Sequence, residues 1–145
     1  MISSMSSLPR GFADLAVGME ATTRRTFSME DIAAFGKLAP DLAPVHFNPE
    51  FARELGYRDV LVFGWLAGAP FSGLLGMDLP GPHCVLHSVR INMAAPVYAG
   101  DTISYRAEVK HLSAATKTVV LDLVATREGN QEVVIRGQAQ CGFPK

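Results

Sequence analysis

The chain has 145 residues, 48% of them hydrophobic and 19% charged, with a formal net charge of −1. That composition describes one ordinary globular domain with a sizeable core, and it excludes the basic footprint of a nucleic-acid or anionic-membrane binder. Cys84 and Cys141 are too few for a disulfide framework, so a reducing, cytoplasmic setting is expected.

Residues 1–11 are rich in Ser and Met and are expected to form a flexible leader, with a single domain over residues 12–145. Met19 to Phe27 is β-branched and partly alternating, and reads as a strand. Ser28 then offers an N-cap, Glu30 and Asp31 suit the positive end of a helix, and Ile32, Phe35 and Leu38 form its apolar stripe. Pro40 stops that helix. Asn48 before Pro49 opens a second, short helix through Phe51, Ala52 and Leu55 to Gly56.

From Val60 to Met77 there is no charged residue, which reaches the length of a membrane-spanning candidate. Four glycines and Pro70 interrupt the stretch, and no basic flank marks one side. A fully buried central helix from about Gly64 is the better reading. Past Gly81-Pro82 the pattern becomes strand. Val85, His87, Val89 and Ile91 are expected on one face of His83–Met93, and Ile103, Tyr105, Ala107 and Val109 on one face of Thr102–Leu112. Thr116–Arg127 and Glu132–Cys141 complete four long strands, the last two joined through Glu128-Gly129-Asn130. The implied fold is α+β, an antiparallel sheet wrapped around a buried central α-helix.

Asp41 and His46 are the residues that carry chemistry. They stand five positions apart in a stretch that Pro44 keeps out of regular helix, which predicts a fixed, extended loop. A carboxylate and an imidazole bearing on one water form a general acid/base device near neutral pH. The plainer alternative is a turn-ending Asp and a surface or capping His. His83 and His87 share a strand face with no further metal ligand nearby, so no metal site is expected. Ser72 lacks the frame of a nucleophile elbow, and no phosphate-cradling glycine pattern occurs.

In layout and in residues the chain resembles the MaoC-like hydratase/dehydratase family, of hot-dog fold, which includes the R-specific enoyl-CoA hydratases. Phe35, Asp41, Pro44, Val45, His46 and Ala52 fall at the places of the family motif. Phe71-Ser72-Gly73-Leu74-Leu75-Gly76 and Pro96-Val97-Tyr98-Ala99-Gly100-Asp101 match two further segments. The chain departs from the pattern at Pro40, where the family has Gly, at Ala43, where it has Asn, and at Phe63, where it has His.

The resemblance implies reversible hydration of a trans-2-enoyl thioester to an (R)-3-hydroxyacyl thioester, with Asp41 and His46 catalytic. The backbone N–H of Gly64 or Trp65 would meet the developing oxyanion. Phe63, Trp65, Leu66, Ala69 and Leu74 would line the acyl pocket, and Arg90 would meet a phosphate of the carrier arm. No metal or redox cofactor is implied. The partners implied are an acyl-CoA or acyl-carrier thioester and further copies of the chain, in a homodimer or a higher oligomer of dimers, with no nucleic acid and no membrane. Rival readings are a non-catalytic hot-dog subunit beside an active one, an acyl-carrier-protein dehydratase, and an acyl-thioesterase. The thioesterase is disfavoured because the helix from Gly64 to Met77 has no acidic residue.

Overall fold

The computed structural model describes residues 11–144. The leader assigned to residues 1–11 therefore lies outside the described residues, except for Gly11, which caps a 3-10 turn over Phe12–Asp14. Five strands follow: β1 (Glu20–Thr26), β2 (Val85–Met93), β3 (Thr102–Ser113), β4 (Thr118–Arg127) and β5 (Val133–Gly142). They form one antiparallel sheet in the order β1-β3-β4-β5-β2. The turn after β4 uses Gly129 at positive φ. Helical sequence separates β1 from the other strands, so β1 takes one edge and β2 the other.

Helix α1 (Met29–Leu38) starts as its residues predict. Ser28 Oγ accepts the Asp31 N–H at 3.1 Å, and the Asp31 carboxylate accepts the Ser28 N–H at 2.9 Å. Ile32 is fully buried, but Leu38 is 81% exposed. Six residues carry Leu38 about 240° around the axis from Ile32, off the buried face, and Gly36 takes the inward position instead. Helix α2 (Pro49–Glu54) is capped by Asn48 Oδ1, which accepts the Glu50 and Phe51 N–H groups.

The central helix runs from Gly64 to Asp78 in three pieces: α3 (Gly64–Gly68), α4 (Pro70–Gly73) and a π turn over Leu74–Asp78. Pro70 cannot donate to the preceding turn, and Ala69 N–H bonds Leu66 O at 3.0 Å where the run tightens. Ala67, Phe71, Leu74 and Leu75 are buried against the sheet. Trp65 and Met77 are 74% and 61% exposed, so the run is half-buried and not apolar-covered all round. Among the described residues no helix is long and apolar enough to cross a membrane.

Ile103, Tyr105, Ala107 and Val109 share the helix-facing side of β3, all buried. Tyr105 meets Phe71 edge-on at 5.0 Å and donates its hydroxyl to Ala67 O at 2.6 Å. Gly64 and Gly68 allow the closest strand approach. A methyl at Gly68 would stand 2.8 Å from Ile91 Cδ1, and one at Gly64 3.2 Å from Met93 Cε. The expected face of β2 is corrected by a bulge at His87. Leu86, Val89, Ile91 and Met93 lie opposite Cys141, Ala139, Gly137 and Ile135, while the His87 ring lies over Gly142.

Candidate active site

The Asp41–His46 stretch is anchored at both ends. Asp41 N–H donates to Gly36 O at 2.8 Å, tying the loop to α1. Its Oδ1 accepts the Ala43 N–H at 3.0 Å, an Asx turn, and no described residue hydrogen-bonds Oδ2. Pro44–His46 then forms a 3-10 turn, where the sequence predicted extended chain. Pro44 sits at its first position, where a missing N–H costs nothing.

His46 is held on two sides. Its Nδ1 lies 2.8 Å from Leu61 O. A carbonyl only accepts, so Nδ1 carries a proton, which in the neutral ring leaves the lone pair on Nε2. The ring stacks on Phe63, with centroids 3.9 Å apart and planes at 28°. Phe63 is itself buried between Phe35 and Phe47.

His46 lines a cavity of about 370 Å³ together with Gly64, Ala67, Met93, Pro96 and Val97. Gly64 opens α3. The first amide to close within the helix is that of Ala67, on Phe63 O at 2.8 Å, so the Gly64, Trp65 and Leu66 N–H groups precede the helical ladder. Aligned amides at a helix start favour negative charge. The cavity thus borders both His46 and the first residue of α3, with Ala67, Met93, Pro96 and Val97 as apolar walls.

Other expected site residues lie elsewhere. Asp41 does not line this cavity. The Trp65 side chain is exposed, and Leu66, Ala69 and Leu74 line a separate cavity of about 470 Å³ against Arg24 and Arg25 of β1. Trp65, Leu66, Ala69 and Leu74 are therefore not walls of the His46 cavity. Leu66, Ala69 and Leu74 turn toward β1, whereas Gly64 and Gly68 turn toward β2. Arg90 alternates with Ile91 and so faces away from the helix, in a shallow hollow with Asn92, Asp122 and Arg136. Among the described residues no cluster of three or more His, Cys, Asp and Glu stands together.

Sequence reasoning missed the Leu61 carbonyl and the Met93–Val97 wall. Both are main-chain or apolar contributions; Pro96 and Val97 stood in a family-like segment, but nothing in that segment marked them as walls of the site. It also passed over Arg127, a nearly buried cation at the end of β4.

Comparison with known proteins agrees with this geometry. The family described as MaoC like domain matches residues 14–130. Over 130 residues the chain is 35% identical to the (R)-specific enoyl-CoA hydratase of Aeromonas caviae, covering 90% of this chain and 96% of that one. It is 31% identical over 134 residues to the 3-hydroxybutyryl-CoA dehydratase of Methylorubrum extorquens, covering 92% and 84%. The solved structure of the A. caviae (R)-hydratase superposes with a TM-score of 0.84 at 30% identity, over 90% of this chain and 98% of that one. The sheet wrapped on its helix is the hot-dog fold.

Proposed function

The chain belongs to the MaoC-like family, and from that membership we propose that it adds water reversibly to a trans-2-enoyl thioester, giving an (R)-3-hydroxyacyl thioester. The observation that carries the reading is the arrangement of His46, its Nδ1 proton committed to Leu61 O and its ring bordering the same cavity as Gly64.

In hydration the water oxygen bonds C3 while one of its O–H bonds breaks. The C2=C3 electron pair moves toward C2 and the thioester oxygen, and C2 then takes a proton. Asp41, as general base, takes the proton of the breaking O–H bond on its free carboxylate oxygen, and His46 Nε2 accepts a hydrogen bond from the water's other O–H. The proton taken from water is the one that C2 receives. The thioester oxygen is placed on the Gly64 and Trp65 amides, donors that need no reorganisation; losing one donor of that kind costs about 3 kcal/mol in the transition state. Phe63 shapes the reacting end of the pocket. No electrons are transferred overall, so the step calls for no redox cofactor.

The active form is proposed to be a homodimer in a reducing, cytoplasmic setting, acting on a CoA or carrier-protein thioester. Strand β2 is hydrogen-bonded along one side only, and Leu86, Val89 and Met93 on it are open. In the dimer, Trp65, Leu66, Ala69 and Leu74 are candidates to guide the acyl chain beyond the His46 cavity, and Arg90 to meet the carrier phosphate.

The test is loss of conjugated enoyl absorbance with a short-chain enoyl-CoA, in wild type, Asp41→Asn and His46→Ala. Turnover that depends on both residues and yields the (R) product supports the reading. No turnover by the wild type across chain lengths and carriers would instead favour a non-catalytic subunit, consistent with Ala43 and Phe63 at motif positions.

A further inference from the structure

The residue that orients His46 is itself held by a seam of backbone contacts. Leu61 donates its N–H to Val45 O at 3.0 Å, while its carbonyl receives His46 Nδ1. Next to it, Val62 N–H donates to Val97 O at 2.8 Å, and Leu61 pairs with Tyr98 as an isolated antiparallel bridge. Pro96–Tyr98 and Leu61 are therefore joined through adjacent backbone pairings.

Two nearly buried charges fix that segment. Asp101 Oδ2 accepts the Tyr98 N–H at 2.9 Å and is paired with Arg127 Nη1. Arg127 Nη2 donates to Pro96 O at 2.6 Å. The planar guanidinium thus grips both ends of the Pro96–Asp101 turn at once, which a lysine ammonium cannot do. Outside this pair, Arg58 lies 3.2 Å from Asp101 Oδ1, with its guanidinium 4.0 Å over the Tyr98 ring. A buried pair is a costly way to close a turn that Gly100 already makes at positive φ.

We infer that Arg127 and Asp101 are positioning residues for His46, acting through the Tyr98–Leu61 seam to hold the carbonyl that fixes its tautomer and aims Nε2. The inference rests on the hydratase reading only for its catalytic consequence; the positioning relation is measurable without it.

The experiment uses the full chain as wild type, Arg127→Lys, Arg127→Met and His46→Ala. Two readouts are taken: hydration of a short-chain enoyl-CoA, and the imidazole ¹⁵N signals of His46, which distinguish its two neutral tautomers. Wild type is expected to show a single Nδ1–H tautomer. Arg127→Lys keeps the charge but loses the grip on Pro96 O. It is expected to lower kcat about tenfold at nearly constant KM, since a misplacement near 1 Å carries penalties up to about a hundredfold. Its His46 signals move toward the tautomer average, and Arg127→Met shows a larger change in both. If Arg127→Met fails to fold, Arg127→Lys decides alone. Wild-type ¹⁵N signals and kcat in Arg127→Lys, with only the unfolding temperature lowered, would overturn the inference. A wild type without turnover overturns the hydratase reading instead, and an active His46→Ala overturns the catalytic role given to His46; the ¹⁵N signals then still decide the positioning relation.

Discussion

The rings of His46 and Phe63 lie face to face, 3.9 Å between centroids and planes at 28°. A flat apolar surface restrains the imidazole without competing for its protons. Phe63→Leu keeps much of the volume but removes the flat face. It should lower kcat several-fold and cost about 1.5 kcal/mol in urea unfolding. Phe63→His should change the relative kcat/KM among acyl chain lengths more than it changes the unfolding midpoint.

Gly36 sets the distance between α1 and the Asp41 loop. A methyl there would stand 2.8 Å from Phe47 Cζ and 2.9 Å from Asp41 O, and the second of these is backbone. Gly36→Ala should displace Asp41 and reduce turnover at least tenfold, at a stability cost of about 2 kcal/mol. Gly73→Ala is the control. Nothing lies within 4 Å of its methyl, so activity should hold while stability rises by up to about 1 kcal/mol.

Tyr105 fastens the sheet to the central helix by its hydroxyl bond to Ala67 O. Tyr105→Phe keeps the contact with Phe71 and removes the bond, for an expected loss of about 1.5 kcal/mol. Burial pushes the phenol above its ordinary range. In a spectrophotometric alkaline titration Tyr105 should therefore stay protonated until the chain unfolds. Its ionisation in the folded protein would contradict this packing.

Asp31 gives the acid limb a definite sign. The backbone N–H of Ser28, then the Ser28 hydroxyl and Arg25, hold its carboxyl below the usual carboxylate range. A depressed folded value means a contribution that is complete above the unfolded value and is lost as pH falls through the folded one. The unfolding temperatures of wild type and Asp31→Asn should thus differ at pH 7, begin to draw together only below about pH 4, and meet once the pH has fallen below the folded value. Ser28→Ala should cost about 1 kcal/mol at neutral pH.

Strand β2 supplies the assembly test. Val89→Lys puts a charge among Leu86, Ile91 and Met93 on the half-open face. It should shift light-scattering mass from dimer to monomer and lower turnover with it. A wild-type mass of one chain at micromolar concentration would refute the dimer.

Local chemistry was legible in the sequence. Ser28 with Asp31, and Asn48 with Pro49, marked helix starts because caps act within three residues. The alternation of Ile103, Tyr105, Ala107 and Val109 survived because β3 lies between two neighbours. Phase was lost where a long-range event intervened: the bulge at His87 follows from pairing with β5, and nothing local announces it. Trp65 carried the apolar signal of a core residue, yet its position on the helix turns it outward. At the site, Asp41 and His46 stood out by residue type and motif. Their supports did not, since Leu61 lies 15 residues from His46 and Arg127 lies 26 from Asp101. No spacing rule spans such separations.

The bond from His46 to Leu61 uses a main-chain oxygen, a group that every amino acid possesses. Alanine scanning would pass over position 61 without disturbing it, and aligned sequences could vary there freely while the contact persisted. A determinant of this kind is invisible to side-chain genetics. It can be perturbed only through the side chains that hold the strand in place, or by chemistry on the backbone itself, such as an ester in place of the amide.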